Sequence, residues 1–173
     1  MNYAAIETEV VARLNALMTT NGVTGFIAVA LPDTDDEYNK PLPNNGRAFV
    51  EVGSDVKDEE VSSTSAIRQL ETININIIIQ SKFRHNSGSF LGAFSIEELA
   101  RKYLVGWRPS HCNRTYKTAF KFSQRMESSS TWEYILSLAT TTLIVEDTDA
   151  ANDPLITQIT VNSTGNSSVT PTS

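Results

Sequence analysis

The stretch ETININIIIQ, residues 71 to 80, constrains the fold more than any other part of the chain. Ile73, Ile75 and Ile77 alternate with Asn74 and Asn76, the period-two pattern of a strand with one apolar side, before Ile78 and Ile79 thicken it. The run from Ile67 to Gln80 therefore reads as one long strand, and an apolar strand face has to be covered by another layer. The remaining elements follow from the same test. Ile6, Val10, Leu14, Leu17 and Met18 recur at helical spacing over residues 3 to 20, and Asn21-Gly22 supplies the left-handed stop. Phe26 to Leu31, closed by Pro32, reads as a short buried strand, and Arg47 to Val52 as a second strand. The stretches DTDDEYNKPLPNNG (33–46) and SDVKDEEVSSTS (54–65) are acidic and aperiodic and are expected to be loops.

After the polar turn FRHNSGSFLG comes SIEELARKYLVGW. Ser95 with Glu98 three residues later predicts a capping box, and Ile96, Leu99, Ala100 and Tyr103 form one face. Gly106 can take the positive φ that ends this helix, and Pro109 forbids its resumption. Two strands follow, one with Phe120, Phe122 and Met126 on a face, the other with Trp132, Tyr134, Leu136 and Leu138, joined by a hairpin loop at ESSST. The predicted fold class is α+β: an antiparallel or mixed sheet of about five strands with two packed helices. Residues 1–146 form the domain, and 147–173 a polar C-terminal extension in which nine of the last nineteen residues are Ser or Thr.

Composition limits the function classes. At 173 residues the chain is expected to form one domain. A net charge of −6 argues against a protein whose main work is gripping phosphate backbones. No apolar run approaches membrane-spanning length, and the N-terminus lacks the basic start of a signal peptide. The lone cysteine, Cys112, has no internal disulfide partner and reads as a small hydrophobe in a reducing compartment. His85, His111 and Cys112 lack the spacing of a chelating pair, so no metal, cofactor or catalytic residue is assigned. A ligand- or metal-binding domain using these three residues stands as an alternative of a different class. Cationic residues concentrate between Lys82 and Arg125, which suggests a basic contact on an otherwise acidic protein.

The helix ending in Ile96, Leu99, Leu104, Gly106, Trp107 and Pro109, then Phe120 and Phe122, then Trp132 and Tyr134, resembles the tail terminator (tail completion) proteins of long-tailed bacteriophages. It is more specifically similar to those of Mu-like contractile-tailed phages, over residues 1 to 146. Residues 32–46 and 147–173 depart from the pattern as a longer loop and an extension. The resemblance implies a structural virion protein at the tail–neck junction, assembled in the host cytoplasm as a homo-oligomeric, hexameric ring. Its partners would be the tail tube protein, the tail sheath protein and a neck or head-completion protein. Genomic DNA would pass through the lumen without specific binding. Another tube or neck/connector subunit is the nearest alternative. Within this reading the expected partner-facing residues are Arg101, Lys102, Trp107 and Arg108, with Leu155, Ile156, Ile159 and Val161 in LITQITV able to add as a strand to a neighbour. The expected channel-lining set is Asp55, Asp58, Glu59 and Glu60, whose carboxylates would repel DNA, with Asp33, Asp35 and Asp36 as the second choice.

Overall fold

The structure, a computed structural model, describes residues 2–63 and 66–145, at backbone level alone for 56–63, 66–69, 128, 144 and 145. Its elements run α1 (Tyr3–Thr20), β1 (Ile27–Ala30), α2 (Asp35–Tyr38), β2 (Arg47–Ser63), β3 (Ala66–Ser81), α3 (Ala93–Leu104), β4 (Tyr116–Met126) and β5 (Thr131–Val145). A five-stranded sheet has the order β1-β2-β3-β5-β4, with β1 parallel to β2 and the other pairs antiparallel. The fold is thus α+β with a mixed sheet, as the element pattern predicts.

The isoleucine alternation of β3 decides the layering. Ile73, Ile75, Ile77 and Ile79 are fully buried beneath α1 and α3, alongside Leu136 and Leu138 of β5 and Ala48 and Val50 of β2. From α1 come Ile6, Val10, Leu14, Leu17 and Met18, and from α3 Ala93, Ile96, Ala100 and Leu104. Truncating one such buried Ile or Leu to Ala costs about 2–5 kcal/mol, which ranks this layer as the main stabilising interaction. Asn74, Asn76 and Ile78 point to the opposite face, which no long helix among the described residues covers, and they are only half-buried.

Several expectations are corrected. Over 54–63 the acidic stretch is not a loop: β2 continues to Ser63 and pairs with β3 through Ser63↔Ala66, with a register shift between Val56 and Glu60. Its acidic and polar residues suit a strand whose outer edge is open to water, because β1 ends opposite Val50. β1 is an edge strand, with Ala28 its one buried residue. The loop 33–46 contains the single turn α2, capped by the Thr34 hydroxyl. The capping box at Ser95/Glu98 does not form; α3 starts three residues earlier, with Gly92 at the cap and no side-chain cap. The Ala93 and Phe94 amides instead reach the Phe83 and Arg84 carbonyls at 2.9 and 3.1 Å. This approach is so close that a Cβ on Gly92 would lie 2.3 Å from the His85 carbonyl carbon. In β4, the register shift between Phe122 and Gln124 turns Met126 away from the face shared by Phe120 and Phe122. Phe122 is 52% exposed and is not a core residue.

Candidate assembly interface

The corner after α3 is built as its residues require. Gly106 has φ +82°, and its amide donates to the Thr115 carbonyl at 2.8 Å. Thr115 returns its own amide to the Trp107 carbonyl at 2.8 Å, and its hydroxyl donates to the Leu104 and Trp107 carbonyls. Trp107 is half-buried against the core, with the Arg13 guanidinium 5.1 Å from its ring centroid. Arg101, Lys102 and Arg108 are exposed nearby. Arg101 is partly committed within its own helix, 3.3 Å from Glu97, and Lys102 lies over the ring of Tyr103. The structure brings these four residues to one end of α3.

Asp55 is exposed on β2, where its carboxylate accepts from the Asn74 amide at 2.6 Å. Asp58, Glu59 and Glu60 lie on the same strand in backbone position, so the proposed channel set sits on a hairpin arm rather than a loop. Leu155, Ile156, Ile159 and Val161 lie outside the described residues, as does the extension from 147.

The groups weighed for an enzymatic site do not converge. His85 and His111 are exposed, while Cys112 is buried, and burial pushes its thiol upward. His85 sets its ring edge-on to Phe94. Among the described residues no three His, Cys, Asp or Glu side chains are placed to share a metal ion.

Two constellations escape sequence reasoning. One is a buried polar cluster on the sheet face away from α1. The Glu133 carboxylate, 3% exposed, accepts from Gln80 at 2.9 Å, Ser123 at 2.9 Å, Gln124 at 3.2 Å and the Tyr38 hydroxyl. Arg47 donates to Gln80 at 2.7 Å and to the carbonyls of Tyr38 and Lys40 at 2.9 and 3.2 Å. The Tyr38 ring also stacks on Phe49 at 4.7 Å. The cluster thereby fastens α2 and its flanking loop to the sheet, and beside it lies a groove of about 550 Å³ lined in part by Val29, Pro32, Pro41 and Phe49. Burial, and then the Glu133 carboxylate, push the Tyr38 phenol far above its ordinary value of 10.0.

The other is an aromatic–cationic patch at the β4–β5 end. Arg84 and Arg125 place their guanidinium carbons 5.3 and 5.0 Å from the Trp132 ring centroid. The exposed Phe122 ring lies 6.0 Å from Trp132 and 5.5 Å from Tyr134. Arg84 Nε donates to the Tyr134 hydroxyl at 3.0 Å.

The sequence profile of the Gp37 protein family matches residues 10–163, from within α1 to beyond the end of β5. The chain belongs to the Gp37 family. No curated protein sequence matches it. Among solved structures, this Gp37-family chain is similar to a chain of the virion of a native gene transfer agent (GTA) particle. That match has 19% identity, 82% of this chain and 94% of the other covered, and a TM-score of 0.43. The family match spans both constellations and the corner at Gly106, and it runs past residue 146, the expected domain limit.

Proposed function

We propose that this Gp37-family protein is a structural virion subunit that caps the tail tube of a contractile-tailed phage. It would do so as a ring, hexameric by resemblance, that ends tube and sheath growth and offers its other side to the neck. The observation that carries the assembly reading is the dressing of the two sheet edges. Both edge strands expose large apolar side chains, Ile27 on β1 at 43% and Tyr116 and Phe122 on β4 at 49% and 52%. Side chains of that kind at both lateral limits of one sheet suit a subunit with neighbours on two sides, and a heterologous contact of that kind closes into a ring. The terminator role rests on the motif from Ile96 to Tyr134, whose rigid corner holds Trp107, Arg101, Lys102 and Arg108 toward a partner. In this arrangement the acidic arm of β2, with Asp55, Asp58, Glu59 and Glu60, faces the lumen. No helix among the described residues is long and apolar enough to cross a membrane. The test is deletion of the gene from its phage: the reading expects tails with tubes of irregular length and no attached heads, restored by the gene in trans. Normal tube lengths in the deletion would overturn it.

A further inference from the structure

The two edge strands, β1 and β4, are poorly suited to simple strand addition. On β1 the Asn15 side chain occupies the outward groups of Ala28, accepting from its amide at 2.9 Å and donating to its carbonyl at 2.8 Å. On β4 two register shifts break the regular row of donors and acceptors. Contact between copies at these two strands therefore runs through side chains, and the side chains at the two edges have opposite charge.

On the β4 side, Lys82, Arg84 and Arg125 are exposed and form no ion pair among the described residues. Lys117, by contrast, is bound to Glu97 at 2.7 Å, and Arg101 shares the same carboxylate. Arg84 and Arg125 are held over Trp132, so their planes are oriented in advance and Arg125 has its N–H edge free to pair with a carboxylate. On the β1 side, the chain leaving Ala30 exposes Asp33, Asp35, Asp36 and Glu37 within five residues. Of these only Glu37 has an ion-pair partner among the described residues, Lys40 at 3.8 Å. The acidic shoulder begins where the chain leaves Ala30, opposite Val50, and the segment that follows it returns to the level of Arg47 through Tyr38 and Lys40. Arg47, which holds the Tyr38 and Lys40 carbonyls, occupies the cross-strand row of Gln80, Glu133 and Gln124, and Trp132 and Arg125 form the next row.

We propose that the Arg84–Trp132–Arg125 patch is a docking surface for the Asp33–Asp36 shoulder of a second copy of this chain, laid side by side. The inference rests on the ring reading and names the contact that would close it. Phe122 supplies the apolar contact at the centre, and the guanidinium–carboxylate pairs set the register around it. A nucleic-acid strand is the competing occupant of an arginine–aromatic surface. The acidic shoulder on the same subunit favours the second copy.

The experiment is sedimentation velocity on the full chain at low and high salt. Arg84→Glu/Arg125→Glu and Asp33→Lys/Asp35→Lys/Asp36→Lys variants are run separately and as a one-to-one mixture. Each variant alone should associate at least about tenfold more weakly than the wild type, a shift of about 1.4 kcal/mol. The mixture should recover association, because each reversed surface then meets its complement, and added salt should weaken it. Arg125→Glu alone guards against misfolding, since Arg125 makes no hydrogen bond among the described side chains, and circular dichroism checks each variant. Oligomers of unchanged mass in both variants would overturn this contact and leave the ring reading standing. A mixture that stays monomeric while the wild type associates would do the same. Wild type that stays monomeric at every concentration overturns the contact, while the tube-length phenotype of the deletion judges the capping role separately. Binding of a single-stranded oligonucleotide that the Arg84→Glu/Arg125→Glu change abolishes, with self-association untouched, would assign the patch to nucleic acid instead.

Discussion

Replacing Tyr38 by Phe removes one oxygen and leaves the ring that stacks on Phe49. The lost hydroxyl is one of four donors to a carboxylate that is 3% exposed, and the other three, from Gln80, Ser123 and Gln124, remain. A hydrogen bond to a charged group contributes about 1.5–3 kcal/mol, and a carboxylate this buried has no water to take the donor's place. For a domain of this size that corresponds to a fall in Tm of roughly 3–10 °C. Urea unfolding followed by far-UV circular dichroism should show a lower midpoint at an unchanged slope, since the surface exposed on unfolding is the same. Glu133→Gln completes a double-mutant cycle. The two changes remove the same charge-assisted bond, so together they should cost less than the sum by about 1 kcal/mol or more. If Tyr38→Phe costs under about 0.5 kcal/mol, or if the two effects add, then the clasp does not hold α2 to the sheet and the reasoning fails.

The same phenol sets an alkaline limit. Its folded pKa is raised above the unfolded value of 10.0, so its contribution is intact below that pH and is lost as the pH climbs through the folded value. The wild type should lose stability above pH 10.0 more steeply than Tyr38→Phe, as thermal melts in a pH series would show. Cys112, buried and with its thiol pushed upward, should react with a thiol-specific disulfide reagent at pH 7 at least about tenfold more slowly folded than unfolded; equal rates would contradict its placement. Gly106→Val forces a β-branched residue to φ +82° and should cost roughly 1–3 kcal/mol in a denaturant titration, whereas a neutral result would mean the corner relaxes freely. Deleting residues 150–173 should leave the described domain folded with little change in Tm, while attachment to the tail or neck fails; infectious particles made with the truncated chain would refute that role for the tail.

The architecture was largely legible because burial writes its period into the sequence. The Ile73–Ile79 alternation, the Ile6–Met18 stripe and the Trp132–Leu138 face all sit where their spacing puts them. The errors fall where composition and geometry disagree. Residues 54–63 look like a loop because they are acidic, yet a strand with a water-facing outer edge tolerates charge and is even protected by it. Ser95 and Glu98 match a capping box, but Gly92 lets the helix begin earlier against the Phe83 and Arg84 carbonyls. No local pattern encodes that close approach. A single inserted residue in β4 reverses the facing of everything after Phe122, so Met126 could not be placed from alternation alone.

Interface residues are harder still, because a charge is available to a partner only if its own fold has not engaged it. By sequence, Arg101, Lys117 and Arg125 are equivalent members of one basic span. The fold separates them: Arg101 and Lys117 converge on Glu97, while Arg125 is laid over Trp132 with no carboxylate beside it among the described residues. The acidic residues divide in the same way. Glu133 and Glu71 are taken into the interior, and Asp33, Asp35 and Asp36 are left facing water. Neither sorting leaves a local trace, since it depends on which strands become neighbours: β5 with β4, and β3 with both β2 and β5. A net charge of −6 therefore says little about how this subunit meets its neighbours. In the proposed contact, what counts is the charge that remains after internal pairing among the described residues, positive beyond β4 and negative beyond β1. In the proposed ring, opposite unpaired charge on the two sides is what would draw copies together head to tail.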